Sequence, residues 1–255
     1  METEVTEGAH MVRTLAVDIG GTGVKAIVLD EAGKPLTERT RIPTPRPATP
    51  KTILRVITEL AKAQGQFERV SVGFPGVVRN GVAETAHNLD GKWRGFPLAE
   101  RLAGALEKPV RVANDADVQG FAAISGRGVE LVITLGTGLG SALFVNGILV
   151  PNLEAAHYPF RRGSTYEERL GNAALEEAGK KKWNKRVRRA IKALDQLFNY
   201  DRLFIGGGNA KKITGSLPES VAVVGNVAGL LGGIALWREE CPPEASGGAA
   251  GQNPT

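Results

Sequence analysis

The chain has 255 residues, of which 42% are hydrophobic, enough to bury one large core or two smaller ones. It carries a net charge of +5, a single cysteine, Cys241, and no apolar run of about 18 residues, which excludes a disulfide framework, a thiolate zinc cluster and a helical membrane span. The acidic opening METEVTEGAH lacks the basic and apolar regions of a secretory signal, so a cytoplasmic protein is expected.

Residues 1–11 and 239–255, the latter ending in CPPEASGGAAGQNPT, are poor in apolar residues and are expected as flexible termini, with structure from about Val12 to Arg238. The stretch AVDIGGTGVKAIVLD, residues 16–30, sets Gly20, Gly21 and Gly23 between two β-rich runs. Glycine turns after a strand cradle phosphate with backbone N–H groups, but the common ones lead into a helix. Here Val24, Ala26 and Val28 alternate with Lys25, Ile27 and Leu29, which predicts a hairpin. No G-x-x-x-x-G-K-[ST] occurs anywhere. Neither a P-loop nor a dinucleotide-binding turn fits, and another phosphate-binding architecture is required.

TPKTILRVITELAKAQ predicts a helix with Thr49 as N-cap, Pro50 at its first position and Ile53, Leu54, Ile57, Leu60 and Ala61 on one face. ERVSVGFPG reads as a short buried strand, PLAERLAGALE as a helix and KPVRVAND as another strand. Asp115 then falls just past a carboxyl strand end, the edge where open α/β sheets place ligands. An aspartate there serves either as a general base or as the N-cap of the helix starting near Asp117; Asp117 can take the capping role and leave Asp115 free.

GTGLGSALFVNG from Gly136 echoes GTGVKAIVLDEAG from Gly21, and Asn146-Gly147 closes the second copy with a tight-turn signal. Such a repeat implies a duplicated lobe, with a cleft where two turns grip one phosphoryl chain from opposite sides. Further on, residues 180–192, KKKWNKRVRRAIK, hold eight basic residues and no acid, leaving 24 of the 32 basic residues against 27 acidic ones elsewhere. On a helix Lys181, Lys185, Arg188, Arg189 and Lys192 share one face, with Trp183, Val187, Ala190, Ile191, Leu194 and Phe198 opposite. The cationic stripe is either a solvated face or the binding surface of a polyanion.

The segments DIGGTGVK, GFPGVV to HNLDGKW, NDAD, LGTGLGSALF, LEAAH and FIGGGNAKK, in this order from about Leu15 to Trp237, resemble the ROK family of sugar kinases. TPRPATP, VPNLEAAH and KKWNKRV through LFNYD are similar to the branch of that family that phosphorylates glucose from polyphosphate and lacks the family's cysteine-rich zinc motif. The resemblance implies an α/β, actin-like and ribonuclease-H-like duplicated fold, with lobes at 12–113 and 114–238 around a central cleft.

By the same resemblance, Asp115 is the catalytic base, and Asn88, Asn114, Asp115, Glu154, His157 and Glu167 bind the sugar. Asp18 positions Mg²⁺, through water. Gly20, Gly21, Thr22 and Gly23 with Lys25, and Gly136, Thr137 and Gly138, hold phosphate, and Gly206, Gly207 and Gly208 hold adenosine where ATP is the donor. Lys181, Lys185, Arg188 and Lys192 form a track for polyphosphate. His157 has no thiolates to join in a metal site and serves the sugar. The expected activity is transfer of a phosphoryl group from polyphosphate or ATP to the 6-hydroxyl of glucose, in a homodimer with no membrane or specific nucleic-acid partner. The alternatives are a strictly ATP-dependent hexose kinase and, given about fourteen residues before the first strand in place of a DNA-binding segment, remotely, a sugar-responsive regulator.

Overall fold

The strand β1 (Thr14–Ile19) turns back at the first glycine cluster into β2 (Val24–Leu29), antiparallel and in the register Asp18 opposite Lys25. The computed structural model describes residues 11–86, 89–225, 230 and 232–237. β3 (Thr40–Ile42) adds an antiparallel edge to β2. Helix α1 (Pro50–Gln64) follows, with Thr49 Oγ1 accepting from the Thr52 amide and Pro50 at the first position, as its sequence predicts. It buries Ile53, Val56, Ile57, Leu60 and Ala61 against the sheet. Next come β4 (Arg69–Phe74), the small hairpin of β5 (Val78–Arg79) and β6 (Val82–Ala83), helix α2 (Leu98–Leu106) and β7 (Val110–Asn114). The sheet order is β3-β2-β1-β4-β7, with β4 parallel to β1 and β7 parallel to β4.

The second half repeats this plan. After α3 (Asp115–Phe121), the strands β8 (Val129–Leu135), β9 (Leu139–Val145) and β10 (Ile148–Val150) run antiparallel, and Asn146 and Gly147 turn the last hairpin with φ of 52° and 81°. β11 (Pro159–Arg161) and β12 (Ser164–Thr165) form a small hairpin before α4 (Tyr166–Leu170) and α5 (Asn172–Phe198). β13 (Arg202–Gly206) and β14 (Val221–Val223) complete the order β10-β9-β8-β13-β14, β13 parallel to both β8 and β14. Three antiparallel strands followed by two parallel ones, twice over, is the duplication that the repeated glycine turns announce.

Gly179, at φ 73° and ψ 157°, interrupts α5 just before its basic stretch. Beyond it Trp183, Val187, Ala190, Ile191 and Leu194 are buried in the second core, and Trp183 Nε1 donates to the Leu170 carbonyl at 2.9 Å. The expected boundary of the lobes, 113/114, falls inside β7, one residue before its end at Asn114. The turn Gly232–Trp237, placed by sequence in the second lobe, packs on the first sheet instead. Ser71 Oγ donates to Gly233 O and accepts from Trp237 Nε1 at 2.8 Å, and Arg69 and Arg111 lie over the Trp237 ring.

Candidate active site

Both glycine turns open onto one cleft of about 550 Å³, lined by Asp18, Gly20, Gly21, Thr22 and Lys25 on one side and by Gly136, Thr137, Gly138, Gly207 and Gly208 on the other. Asn114, Asp115, Glu154, His157 and Glu167 line it as well. Two sheets carried apart in sequence therefore bring most of the expected donor and sugar residues to one place. Gly206 is buried inside β13, and Gly23 is packed beneath the turn, where a Cβ would run into the Arg41 guanidinium. Asn88 lies outside the described residues.

The first turn is closed by Gly20 N–H donating to Gly23 O at 3.1 Å. Its outward carbonyls are taken one by one: Thr44 Oγ1 donates to Gly20 O, Arg46 Nη2 to Gly21 O and Arg41 Nη2 to Thr22 O, at 2.5, 3.2 and 2.6 Å. Lys25 Nζ bonds Asp18 Oδ2 at 2.7 Å. The second turn closes likewise, Gly136 N–H to Gly138 O at 3.0 Å, and its carbonyls accept from amides: Asn172 N–H to Gly136 O and Thr137 O, and Asn209 Nδ2 to Gly136 O. Glu167 Oε2 accepts from Leu139 N–H at 3.1 Å, so this sugar-ligand candidate also braces the second turn.

Asp115 is the first residue of α3, directly behind β7. Burial pushes its carboxyl up to about 7, and the negative charge of Asp18 adds to the rise against the lowering effect of the Ala116 N–H. A carboxylate so placed is a stronger base than a solvated one and is half protonated near neutral pH. The helix cap differs from expectation. Asn114, not Asp117, caps α3, its Oδ1 accepting from the amides of Ala116 and Asp117 at 2.8 and 3.3 Å, because the helix begins two residues earlier than the sequence suggests. Asn114 Nδ2 still faces Gly76 O and Glu154 Oε1. Asp117 is buried, 2% exposed, with Oδ2 accepting from Asn152 N–H and Oδ1 without a partner among the described residues; burial raises it, too, to about 7.

Glu154 and His157 come together across one turn, His157 Nε2 lying 3.8 Å from Glu154 Oε2. Lys181, Lys185, Arg188 and Lys192 are exposed on α5, and none lines the cleft; Arg188 Nη1 donates to Thr214 O. Sequence reading passed over Arg39, Arg41, Gln119, Thr134 and Asn209, the first four of which line the cleft. The alternation of Arg39 and Arg41 in ERTRI was the available signal for the arginines. No group of three or more His, Cys, Asp or Glu able to hold a metal ion occurs among the described residues.

The chain is similar to known proteins over most of its length. The model of the ROK family matches residues 14–154. Polyphosphate glucokinase of Mycobacterium tuberculosis is 32% identical over 249 residues, 91% of this chain and 94% of that protein. The inorganic polyphosphate/ATP-glucomannokinase of Arthrobacter sp. strain KM superposes with a TM-score of 0.80 at 32% identity, over 88% of this chain and 97% of that one. A ROK family glucokinase from Streptomyces griseus, solved with glucose and AMPPNP, shares the fold with a TM-score of 0.72 at 23% identity, over 88% and 98% of the two chains. With its doubled sheet, paired glycine turns and this extent of likeness, the chain belongs to the ROK family and has the family's actin-like fold.

Proposed function

We propose that the protein is a glucokinase that transfers a phosphoryl group from polyphosphate, and from ATP, to the 6-hydroxyl of glucose. The observation that carries this reading is the place of Asp115, at a strand end in a cleft between two phosphate-type glycine turns. The relatives at 32% identity, a polyphosphate glucokinase and a polyphosphate/ATP-glucomannokinase, support the donor and the sugar.

In the reaction the sugar 6-oxygen attacks the terminal phosphorus as its proton passes to the Asp115 carboxylate. The bond from that phosphorus to its bridging oxygen breaks, and the shortened phosphate chain, or ADP, leaves with the electron pair. Glu154, His157, Asn114 and Glu167, with Asn88 by the family resemblance, orient the hydroxyls, and the amides of Gly21, Thr22, Thr137 and Gly138, not spent in closing the turns, hold the phosphates in line. Asp18, close enough to Asp115 to raise its pKa, offers the hard oxygen that Mg²⁺ prefers, and a cation there relieves the repulsion between the two acids. Mg²⁺, when bound, neutralises charge on the transferring phosphoryl group. The exposed cations Lys181, Lys185, Arg188 and Lys192 collect long chains from outside the cleft.

The reading includes a cytoplasmic homodimer; no helix among the described residues is long and apolar enough to cross a membrane, and Val145, Ile148 and Val150 stand exposed at one sheet edge. A second reading, a strictly ATP-dependent kinase, is favoured by Gly207 and Gly208 lining the cleft. Initial rates with glucose and Mg²⁺, using ATP or long-chain polyphosphate at matched phosphate concentration, decide between them. Turnover with polyphosphate is expected; turnover with ATP alone supports the second reading, and none with either overturns both.

A further inference from the structure

The edge strand β3 borders the cleft, and its register sets up a row of charge. Asp18 lies opposite Lys25 on β2, and Lys25 opposite Arg41 on β3. Side chains in one row share a face of the sheet, and Arg39, two residues before Arg41, falls on that face too. Lys25 is neutralised by Asp18 at 2.7 Å. Arg41 uses Nη2 on the Thr22 carbonyl and keeps the rest of its fork, while Arg39 makes no hydrogen bond or ion pair among the described residues. Both arginines line the cleft. The strand that carries them is tied to α1, since the buried Gln64 donates through Nε2 to Glu38 O at 2.9 Å and to Thr40 Oγ1 at 2.8 Å. Two exposed arginines without an acidic partner among the described residues are thus carried beside the first glycine turn on a tethered stretch of backbone.

The sheet order gives this rim a direction. Asp115 follows β7 at one edge, the first glycine turn joins β1 and β2 in the middle, and Arg41 on β3, with Arg39 just before that strand, stands at the other edge. At about 4.8 Å per strand, four spacings separate the two edges by roughly 19 Å. A phosphate chain with its terminal group at Asp115 and its next groups on the glycine turn points toward β3. We propose that Arg39 and Arg41 form a subsite for the donor's phosphates beyond the one transferred, recognising a linear phosphate chain by planar charge-assisted hydrogen bonds. The proposal rests on the polyphosphate reading above and adds a site inside the cleft, distinct from the exposed cations of α5.

Arg39 carries the test, because Arg41 also braces the Thr22 carbonyl. Tripolyphosphate with Mg²⁺ is titrated calorimetrically into the full-length chain and into its Arg39→Gln and Arg39→Lys variants. Arg39→Gln should bind about tenfold more weakly, with the slope of log K against log salt reduced by about one, and Arg39→Lys should keep the salt slope but recover only part of the affinity, because it restores the charge without the planar fork. The melting temperature and the KM for glucose should stay where they are. Equal tripolyphosphate affinity in Arg39→Gln, or no binding by the unmodified chain, overturns the subsite. Turnover with long-chain polyphosphate separates the two ideas. A chain that uses only ATP but loses tripolyphosphate affinity with Arg39 retains the subsite and loses the polyphosphate reading; intact polyphosphate turnover with unchanged tripolyphosphate binding does the reverse.

Discussion

At the first glycine turn the carbonyls of Gly20, Gly21 and Thr22 accept from Thr44, Arg46 and Arg41, side chains of the one segment 41–46. At the second, the carbonyls of Gly136 and Thr137 accept from the Asn172 amide and, at Gly136, from the buried Asn209 side chain. The backbone closure is the same in both, an N–H bonded back to a glycine carbonyl two or three residues on. The braces differ in charge. Two guanidinium groups surround the first turn, whereas the second faces the carboxylate of Glu167 at Leu139 N–H. The two turns share a shape that opens onto the cleft, and guanidinium groups brace the carbonyls of the first only. The first turn supplies charge and the second supplies geometry.

The largest expected effect leaves both turns intact. Asp115→Asn should lower kcat by about 10²- to 10⁴-fold while glucose binding, measured by calorimetry, persists. A variant with a third of the original kcat would show that the turns and bound sugar suffice without a base at this position. The next pair breaks the comparison directly. Asn209→Ala removes a buried donor from Gly136 O and should cost about 1–3 kcal/mol of stability, read as a fall in Tm of several degrees. Arg41→Gln acts at an exposed turn, so Tm should barely move while the KM for the phosphoryl donor rises. If the two variants exchange these phenotypes, charge and geometry have been assigned to the wrong turns.

The last expected effect is a pH dependence. Burial raises Asp117 from 3.8 to about 7, with Glu154 adding to the rise and the Asn152 N–H opposing it. An acid whose pKa is higher in the folded state is fully stabilising below its unfolded pKa, and that contribution is lost as pH rises through the folded one. Stability should therefore decline between about pH 4 and 7, with Asp115, raised to the same level, contributing alongside. Asp117→Asn removes one of the two contributions and should flatten the curve of Tm against pH, gaining most on the unmodified chain at pH 8. Parallel curves would mean that the buried carboxylate is solvated in solution.

Much of this protein is written locally. The alternation in residues 24–29, the Thr49-Pro50 helix start and the Asn146-Gly147 turn each act within a few residues, so β2, α1 and the second hairpin follow from the chain itself. The paired GTG turns and Asp115 at a strand end were legible for the same reason, and they located the cleft. The capping of α3 was not, because Asn114 and Asp117 are both good caps and only the position at which β7 ends chooses between them. Gly232–Trp237 is another case: its place on the first sheet rests on Ser71, Arg69 and Arg111, more than a hundred residues away. The arginines of β3 follow the same logic. Nothing within ERTRI says that it faces a phosphate turn; sheet register and carbonyls some twenty residues distant put Arg41 there, since an exposed edge strand takes its neighbours from the tertiary fold and not from its own sequence.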